Sequence, residues 1–190
     1  MVHLLFQIAA AAHTYGPNLI VNGDFEAGNK GFQTAYRAAD SVFDEGTFAI
    51  TQNPRKQHNA AASVFDHTSK AGLMLACNGS QEKGVTVWQG TARVERGQTY
   101  TFSGWATSWS MDPSTGEARD TSPAMLRVFI NGKSTGAIYG VNAKSGSWSK
   151  FTYEWSSAYQ TVATIRIVDA NTDGFGNDFA IDDLSLVATK

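Results

Sequence analysis

The sequence predicts an all-β fold, an antiparallel β-sandwich or jelly roll. Short segments alternate apolar and polar residues with a period of two, turn-forming residues separate these segments, and no recurring helical segment lies between them. Parallel strands would need crossover connections, which are usually helices. The absence of helical patterns therefore favours antiparallel sheets.

The predicted strands cover much of the chain. In the clearest of them, 125–130, Leu126, Val128 and Ile130 share one face, and the residues between them share the other. Asn131-Gly132 follows directly, and this dipeptide predicts a tight hairpin turn. In chain order the predicted strands are 19–21, 48–51, 74–76, 85–90, 92–96, 98–106, 125–130, 148–155, 161–168 and 179–187.

Length and charge indicate one ordinary globular domain. The chain has 190 residues, a formal net charge of −2 and one cysteine, so no disulfide can form within it. Because basic residues are scattered, we predict neither a nucleic-acid nor a membrane partner. Residues 1–17 are predicted as a leader, either a signal-peptide remnant or an extra strand, and residues 18–190 as the domain.

Two motifs at the ends of the domain carry a family resemblance. Residues 18–26 read Asn-Leu-Ile-Val-Asn-Gly-Asp-Phe-Glu, and residues 177–186 read Asn-Asp-Phe-Ala-Ile-Asp-Asp-Leu-Ser-Leu. With 87–89 and 97–106 between them, they resemble carbohydrate-binding modules of the galactose-binding-like jelly-roll superfamily, especially families 4, 9 and 22. The resemblance implies a secreted, non-catalytic module that binds a plant or microbial polysaccharide, in some cases beside a catalytic domain in a larger parent protein.

Residues 65–69 and Met74 look similar to bacterial exported proteins with this fold. This similarity implies a bacterial origin. It also keeps a second hypothesis open, an exported structural or adhesion protein without a sugar site. A glycan-active enzyme is the third hypothesis, although no catalytic residue can be named from the sequence.

The resemblance also implies a structural calcium ion between the two end motifs. Asp24, Glu26, Asp182 and Asp183 would supply carboxylate oxygens, which calcium prefers. The alternative is that these acids cap turns or accept hydrogen bonds from backbone amides. A second acidic run, 169–174, matches only the first half of a calcium-binding loop, so we interpret it as a polar connection between strands.

Exposed aromatic rings beside polar groups are typical of sugar-binding surfaces, because a ring can stack on the apolar face of a sugar. Strict alternation from a core-facing Phe102 places Trp105 and Trp109 on the opposite face. The alternatives are that each tryptophan lies in the core, or that Gly104 marks a bulge that turns Trp105 inward. The predicted ligand-binding residues are Trp105, Trp109, Arg127, Gln89, Tyr139 and Phe129.

One sequence pattern matches a catalytic motif only by its spelling. Residues 132–136 read Gly-Lys-Ser-Thr-Gly, as in a nucleophile elbow, but they follow a hairpin turn, and all four histidines precede them in the chain. A nucleophile elbow needs a strand–turn–helix context with its histidine later in the chain. We therefore predict that the chain is not an enzyme.

Overall fold

The computed structural model describes residues 14–189, and its regular secondary structure is almost entirely β-strand. A single 3-10 turn, Pro54–Lys56, is the only helical element described in that range. The strands are β1 (Thr14–Tyr15), β2 (Arg37–Ala38), β3 (Thr47–Thr51), β4 (Met74–Asn78), β5 (Thr86–Arg93), β6 (Thr99–Ser108), β7 (Met125–Ile130), β8 (Lys133–Gly140), β9 (Ser149–Ser156), β10 (Val162–Asp169) and β11 (Asp178–Thr189).

The strands form two sheets. The larger sheet has seven strands in the order β2-β3-β4-β11-β6-β9, with β1 also paired to β11, and the smaller has four in the order β5-β10-β7-β8. All neighbours are antiparallel except β2 and β3. The predicted antiparallel sandwich is confirmed.

The core lies between the two sheets, and alternation along each strand fills it. On β7 the buried residues are Leu126, Val128 and Ile130, as the sequence pattern predicts. On β6 the inward face carries Tyr100 and Phe102. Burying such side chains stabilises the fold by about 1.5–3 kcal/mol each.

The hairpin at Asn131-Gly132 is confirmed. Both residues have positive φ, 50° and 77°, which is the geometry of the two-residue turns that join twisted antiparallel strands. The strand that follows the turn, β8, was not predicted. Its sequence Lys-Ser-Thr-Gly-Ala-Ile-Tyr-Gly has no regular apolar alternation, because β8 is an edge strand and most of its residues are exposed.

A second, smaller cluster of apolar residues covers the outer face of the seven-stranded sheet. Ala49, Met74 and Ala180 point outward from this sheet and meet Ala61 and Val64 of the segment between β3 and β4. Trp109 fills the same cluster and is fully buried. This part of the larger sheet is therefore closed to large ligands.

The amino-terminal segment differs in part from the prediction. Residues 19–21 do not form a strand, although the Leu19 amide donates to the Leu186 carbonyl at 2.9 Å. Strand β1 pairs Thr14 with Thr189 and Tyr15 with Ala188, within the stretch predicted as a leader. The apolar residues 1–12 lie outside the described range. Between residues 14 and 189 the chain forms no helix with the length and apolar character needed to cross a membrane.

Candidate functional site

The predicted ligand-binding residues do not form one platform. Trp105 lies on β6, which pairs with β9 and β11 in the seven-stranded sheet. Arg127 and Phe129 lie on β7, and Gln89 lies on β5, both in the four-stranded sheet. The predicted adjacency is wrong because β6 and β7, although consecutive in this part of the chain, belong to opposite sheets.

Trp109 is also wrong as a ligand contact. It is 0% exposed, and its indole nitrogen donates to the Phe179 carbonyl at 2.9 Å. Alternation does place it on the outward face beyond β6, but the segment between β3 and β4 packs over that face. A buried tryptophan whose only donor is occupied cannot stack on a sugar.

Trp105 keeps the predicted outward orientation but is only partly exposed. The His67 ring stacks on it with centroids 3.8 Å apart and planes 19° apart, and Trp148 meets His67 edge-on. Strand β6 has no extra residue at Gly104, since it pairs with β9 in unbroken register there. The bulge at this point lies in the other neighbour, β11, where Asp183 and Leu184 together oppose Gly104, and Trp105 stays on the outward face. One face of Trp105 is therefore covered by protein.

Tyr139 does not line the rim of an outer face, so this prediction is wrong too. It lies opposite Leu126 on the inward side of β8, with its ring centroid 5.5 Å from that of Phe151. It packs against the central core, and burial raises the pKa of its phenol. Strand β8 has a bulge between its pairings with Arg127 and Phe129, so the positions of its residues do not follow simple alternation.

Three predicted residues do share a surface, the outward face of the four-stranded sheet. Arg166 on β10 lies opposite Gln89 on one side and opposite Phe129 on the other. Arg127 is the diagonal neighbour of Arg166, because it pairs with Val168. Gln33 extends the row through its bridge to Gln89. We call the surface formed by Gln33, Gln89, Arg127, Phe129 and Arg166 the small-sheet face.

The small-sheet face combines an aromatic ring with hydrogen-bonding groups. The Arg166 guanidinium carbon lies 4.8 Å from the centre of the half-buried Phe129 ring, a cation–π contact. The Gln89 amide nitrogen donates to the Gln33 side-chain oxygen at 3.1 Å. A cavity of about 300 Å³ adjoins this end of the row and is lined by Gly31, Phe32, Gln33, Gln89, Gly90 and Thr91.

Sequence reasoning missed Arg166 and Gln33. Arg166 had a usable signal, because it stands between Ile165 and Ile167 and must face outward if they face the core. Which strands flank β10 was the missing information. Gln33 lies between strands, and no pattern marks it.

A larger cavity of about 570 Å³ lies on the other sheet. It is lined by small and polar groups such as Ala39, Asp40 and Gln57, and its single aromatic lining residue, Phe48, is 2% exposed. Its lining offers no exposed ring for a sugar to stack on, so the small-sheet face is the better candidate.

All four predicted metal ligands come together in space. Asp24, Glu26, Asp182 and Asp183 line one pocket of about 260 Å³, and Asp66 joins them. The Leu184 amide donates to the Gly23 carbonyl at 2.8 Å, which joins the two end motifs. A bulge in β11 between Asp182 and Ser185, with Asp183 at a φ of 50°, turns both aspartates toward the pocket.

Many of these carboxylate oxygens already accept hydrogen bonds. Glu26 accepts from the Leu73 amide at 2.6 Å, and Asp182 accepts from the amides of His67 and Asp183 at 3.0 and 2.8 Å. Asp183 accepts from Thr68, and its carboxylate lies 2.7 Å from the His67 ring.

The donor chemistry of this pocket suits calcium, since every lining side chain offers oxygen. Burial, with the neighbouring Asp183 charge, raises the pKa of Asp182 to about 7 against opposing hydrogen bonds. The positions of the atoms are less favourable, because no three acidic, histidine or cysteine side chains within residues 14–189 converge on one point suited to a metal.

The acidic run 169–174 ties strands together. Asp169 accepts from the amides of Met125 and Asn171, both at 3.0 Å, and the Asn171 amide group donates to Ser122 and Pro123 carbonyls. The run therefore connects β10 to the segment before β7, as expected of a polar connection.

Asp169, the first residue of this run, is buried, and Asp178, which follows the run, is partly buried. Desolvation raises the pKa of Asp169 to about 6 and that of Asp178 to about 8, against the Ser110 hydrogen bond in the case of Asp178. Asp120, 1% exposed, adds its negative charge near Asp178. These carboxyl groups therefore hold protons more tightly than exposed ones do.

Comparisons with known proteins agree with the architecture. No protein-family model matches the sequence, and a search of curated proteins found no match. Among solved structures, the xylan-binding CBM22-1 domain of Paenibacillus barcinonensis Xyn10C superposes with a TM-score of 0.55 at 15% identity, covering 94% of this chain and 99% of that domain. TmCBM61, solved with β-1,4-galactotriose, gives 0.54 at 12% identity over 90% of this chain and 98% of that one.

The fold is the jelly-roll sandwich of carbohydrate-binding modules. The same fold also matches part of an enzyme, the MgGH51 α-L-arabinofuranosidase, with a TM-score of 0.54 and 15% identity over 95% of this chain and 27% of the enzyme. At these identities the likeness shows the fold, and a fold hosts many functions.

Proposed function

We propose that this chain is a non-catalytic carbohydrate-binding module that binds a plant or microbial polysaccharide on the small-sheet face. One observation carries the proposal. On a sandwich of this fold, the outward face of the four-stranded sheet presents a half-exposed aromatic ring, Phe129, between hydrogen-bonding side chains. Phe129 would stack on the apolar face of a sugar ring while Arg127, Arg166 and Gln89 bond to its polar groups.

The family resemblance of the end motifs indicates where the protein would act and with which kind of partner domain. A secreted bacterial protein, acting alone or beside a catalytic domain in a larger parent, would bring its chain to insoluble or extracellular polysaccharide. Trp88 and Trp109 are fully buried, so neither can stack on a sugar. Trp105, Trp148 and Trp155 are partly buried, as Phe129 is, but they lie on or beside the seven-stranded sheet. Phe129 is preferred because it is the ring that lies among Arg127, Arg166 and Gln89.

A screen of soluble polysaccharides tests the proposal. Affinity electrophoresis and calorimetry against xylan, β-glucan, β-1,4-galactan and alginate should give binding without release of sugar products. Phe129→Ala should weaken that binding by up to about tenfold, since an aromatic stacking contact contributes about 0.5–1.5 kcal/mol and about 1.4 kcal/mol corresponds to a tenfold change. Tyr159→Ala is the matched control, because Tyr159 is 90% exposed and lies outside the small-sheet face.

Binding that is unaffected by Phe129→Ala would contradict the assignment of this face. Product release would contradict the non-catalytic assignment. If no polysaccharide binds, the second hypothesis, an exported structural or adhesion protein, is favoured. One observation already supports that hypothesis, namely that no tryptophan among the described residues is fully exposed.

We also propose that a structural calcium ion binds in the pocket between the end motifs. Asp24, Glu26, Asp182 and Asp183 would hold it, and the oxygen-only lining and the shared pocket support the proposal. Some present hydrogen bonds, such as that from Leu73 to Glu26, would have to be exchanged for the ion. Calcium would neutralise neighbouring carboxylates and tie the two ends of the domain together.

A further inference from the structure

The four-stranded sheet has a charge balance opposite to that of the whole chain. The protein carries a formal net charge of −2, yet strands β5, β7, β8 and β10 contain Arg93, Arg127, Arg166 and Lys133 and a single acid, Asp169. Asp169 is 3% exposed and accepts backbone hydrogen bonds, so it is not on the surface. The exposed charge of these four strands is therefore positive.

Within residues 14–189, Arg93, Arg127 and Arg166 form no ion pair with the protein, and the guanidinium contact of Arg166 is with the Phe129 ring. The ion pairs found between residues 14 and 189 are Arg37 with Asp44 and His67 with Asp183. Elsewhere in that range arginines do bond to protein, as Arg55 does to the Ala61 carbonyl at 2.7 Å. The guanidinium groups on the small-sheet face are thus free to bond to a ligand.

Arg166 is held in place by its neighbours. Its guanidinium lies over Phe129, and the register places it between Gln89 and Phe129. Stacking fixes the plane of a guanidinium and leaves its N–H edge free, which suits planar, two-point binding of a carboxylate. Arg127, its diagonal neighbour, places a second positive charge within reach of the same ligand or the next sugar unit.

Donors also outnumber acceptors on this face. Each arginine has only donors, and the Gln33 side-chain oxygen already accepts from Gln89. Neutral sugar hydroxyls both donate and accept, so they are matched best by surfaces that offer both. Carboxylate and sulfate groups only accept, and they match a face with excess donors.

We infer that the small-sheet face binds an anionic polysaccharide, one that carries carboxylate or sulfate groups, through Arg166 and Arg127 with Phe129 as the apolar platform. The inference rests on the proposed function of the same face, and it names the class of glycan. Carboxylate and sulfate groups are both anionic and only accept hydrogen bonds, so separate carboxylate and sulfate polysaccharides are needed to distinguish them.

The test measures dissociation constants of the full chain at low and high salt. The probes are polygalacturonate and alginate for carboxylates, carrageenan for sulfates, xylan and β-1,4-galactan as neutral glycans, and duplex DNA as a polyanion without sugar specificity. We expect an acidic polysaccharide to bind most tightly and to weaken as salt rises, because screening weakens exposed charge pairs. If the dissociation constants for the carboxylate and sulfate polysaccharides differ, the tighter one identifies which anionic group the protein prefers.

Variants locate the interaction. Arg166→Ala and Arg127→Ala should each weaken binding to the acidic glycan about tenfold or more, as expected for loss of a charged hydrogen bond. Arg166→Lys should restore only part of the loss, because it keeps the charge but not the planar fork. Lys150→Ala is the matched control, since Lys150 is an exposed cation on β9 in the other sheet.

The outcomes separate the inference from the proposed function. Neutral glycans that bind as tightly as acidic ones would overturn the inference and leave the proposed function standing. Equal binding of DNA and all polyanions, or equal losses for Lys150→Ala, would also overturn it, because the attraction would then be nonspecific charge. If nothing binds, both the inference and the proposed function fail.

Discussion

Gly104 lies on the core face of β6, pressed between side chains of two neighbouring strands. A Cβ atom there would lie 2.5 Å from a Leu184 methyl group and 2.6 Å from the Phe151 ring. Both contacts are far shorter than packed atoms tolerate. The glycine that the sequence suggested as a bulge is therefore a packing requirement, and it lets Phe151 and Leu184 meet across the sheet.

Gly104→Ala should lower the free energy of unfolding by about 1–3 kcal/mol, the usual cost of overfilling a packed core. Gly140→Ala is the matched control. It is also a strand glycine, and the nearest atom to its added Cβ would be the Met125 sulfur at 3.6 Å, an ordinary contact. Chemical denaturation measures the free energy of unfolding of both variants and of the wild type. Equal stabilities would contradict the close packing described for Gly104.

Single residues on the two sheet surfaces show the limits of alternation. The pattern placed Trp105, Trp109, Arg127 and Phe129 on outward faces, and the structure agrees for each. An outward-facing side chain is not always exposed to solvent. The segment between β3 and β4 covers Trp109, and the His67 ring covers one face of Trp105. Long-range packing decided which outward residues remain accessible.

At the scale of elements, the connection between β10 and β11 runs between two acids with raised pKa, Asp169 at the end of β10 and Asp178 at the start of β11. The Asp178 carboxyl group accepts from the Ser110 hydroxyl at 2.6 Å, and desolvation, with Asp120 and Glu45 nearby, raises its pKa to about 8. A raised pKa means that the folded chain binds a proton that the unfolded chain has released. The stabilisation is full below the unfolded pKa of about 4 and is lost as pH rises through about 8.

Stability should therefore fall between about pH 4 and about pH 8, with a limiting slope of about 1.4 kcal/mol per pH unit for each such proton. Asp178→Asn cannot ionise, so it should flatten this dependence and gain stability relative to the wild type at pH 8. Asp173→Asn, a change at an exposed acid of the same connection, should leave the slope unchanged. Denaturation curves measured across this pH range give the free energy of unfolding at each pH. An unchanged pH dependence in Asp178→Asn would contradict the raised pKa of Asp178.

Strand positions were mostly predictable at this scale. Strand β7 has the predicted bounds, 125–130, and β3, β4, β6, β9, β10 and β11 lie close to theirs. The two segments predicted at 85–90 and 92–96 are one strand, β5, because Thr91 continues the pairing with Thr164. The short parallel strand β2 and the polar edge strand β8 had no apolar pattern to reveal them.

On the scale of the whole molecule, the two ends of the domain are joined. The Asn18 side chain donates to the Leu184 carbonyl at 2.9 Å and accepts from the Leu186 amide at 3.0 Å. The pocket of acids lies directly beside this junction. A cation there would hold together segments more than 150 residues apart in the chain, as the 166-residue separation of Asn18 and Leu184 shows.

Calcium should raise the melting temperature, and a chelator should lower it. At a free concentration of a hundred times Kd, binding adds about 2.7 kcal/mol. For a domain of this size each kcal/mol shifts the melting temperature by about 2–4 °C. Glu26→Gln with Asp183→Asn should remove the response, whereas Asp44→Asn, at an exposed acid of another loop, should keep it. A melting temperature unaffected by millimolar calcium would contradict the proposed ion.

The sequence by itself determined the class of fold and the inward face of most strands, because both depend on local periodicity. The grouping of Asp24, Glu26, Asp182 and Asp183 was implied by the resemblance of the end motifs to carbohydrate-binding modules, and the four acids do line one pocket. Whether they bind calcium stays a prediction.

Only the tertiary structure decided which strands are neighbours, and the candidate binding surface depends on that. Arg166 lies beside Phe129 and Gln89 because β10 is inserted between β5 and β7, strands far apart in the chain. The order of strands in each sheet depends on how the inner faces of the two sheets pack against each other. No pattern within a single segment of the sequence reveals that order. The same packing separated Trp105 from Arg127 and covered Trp109.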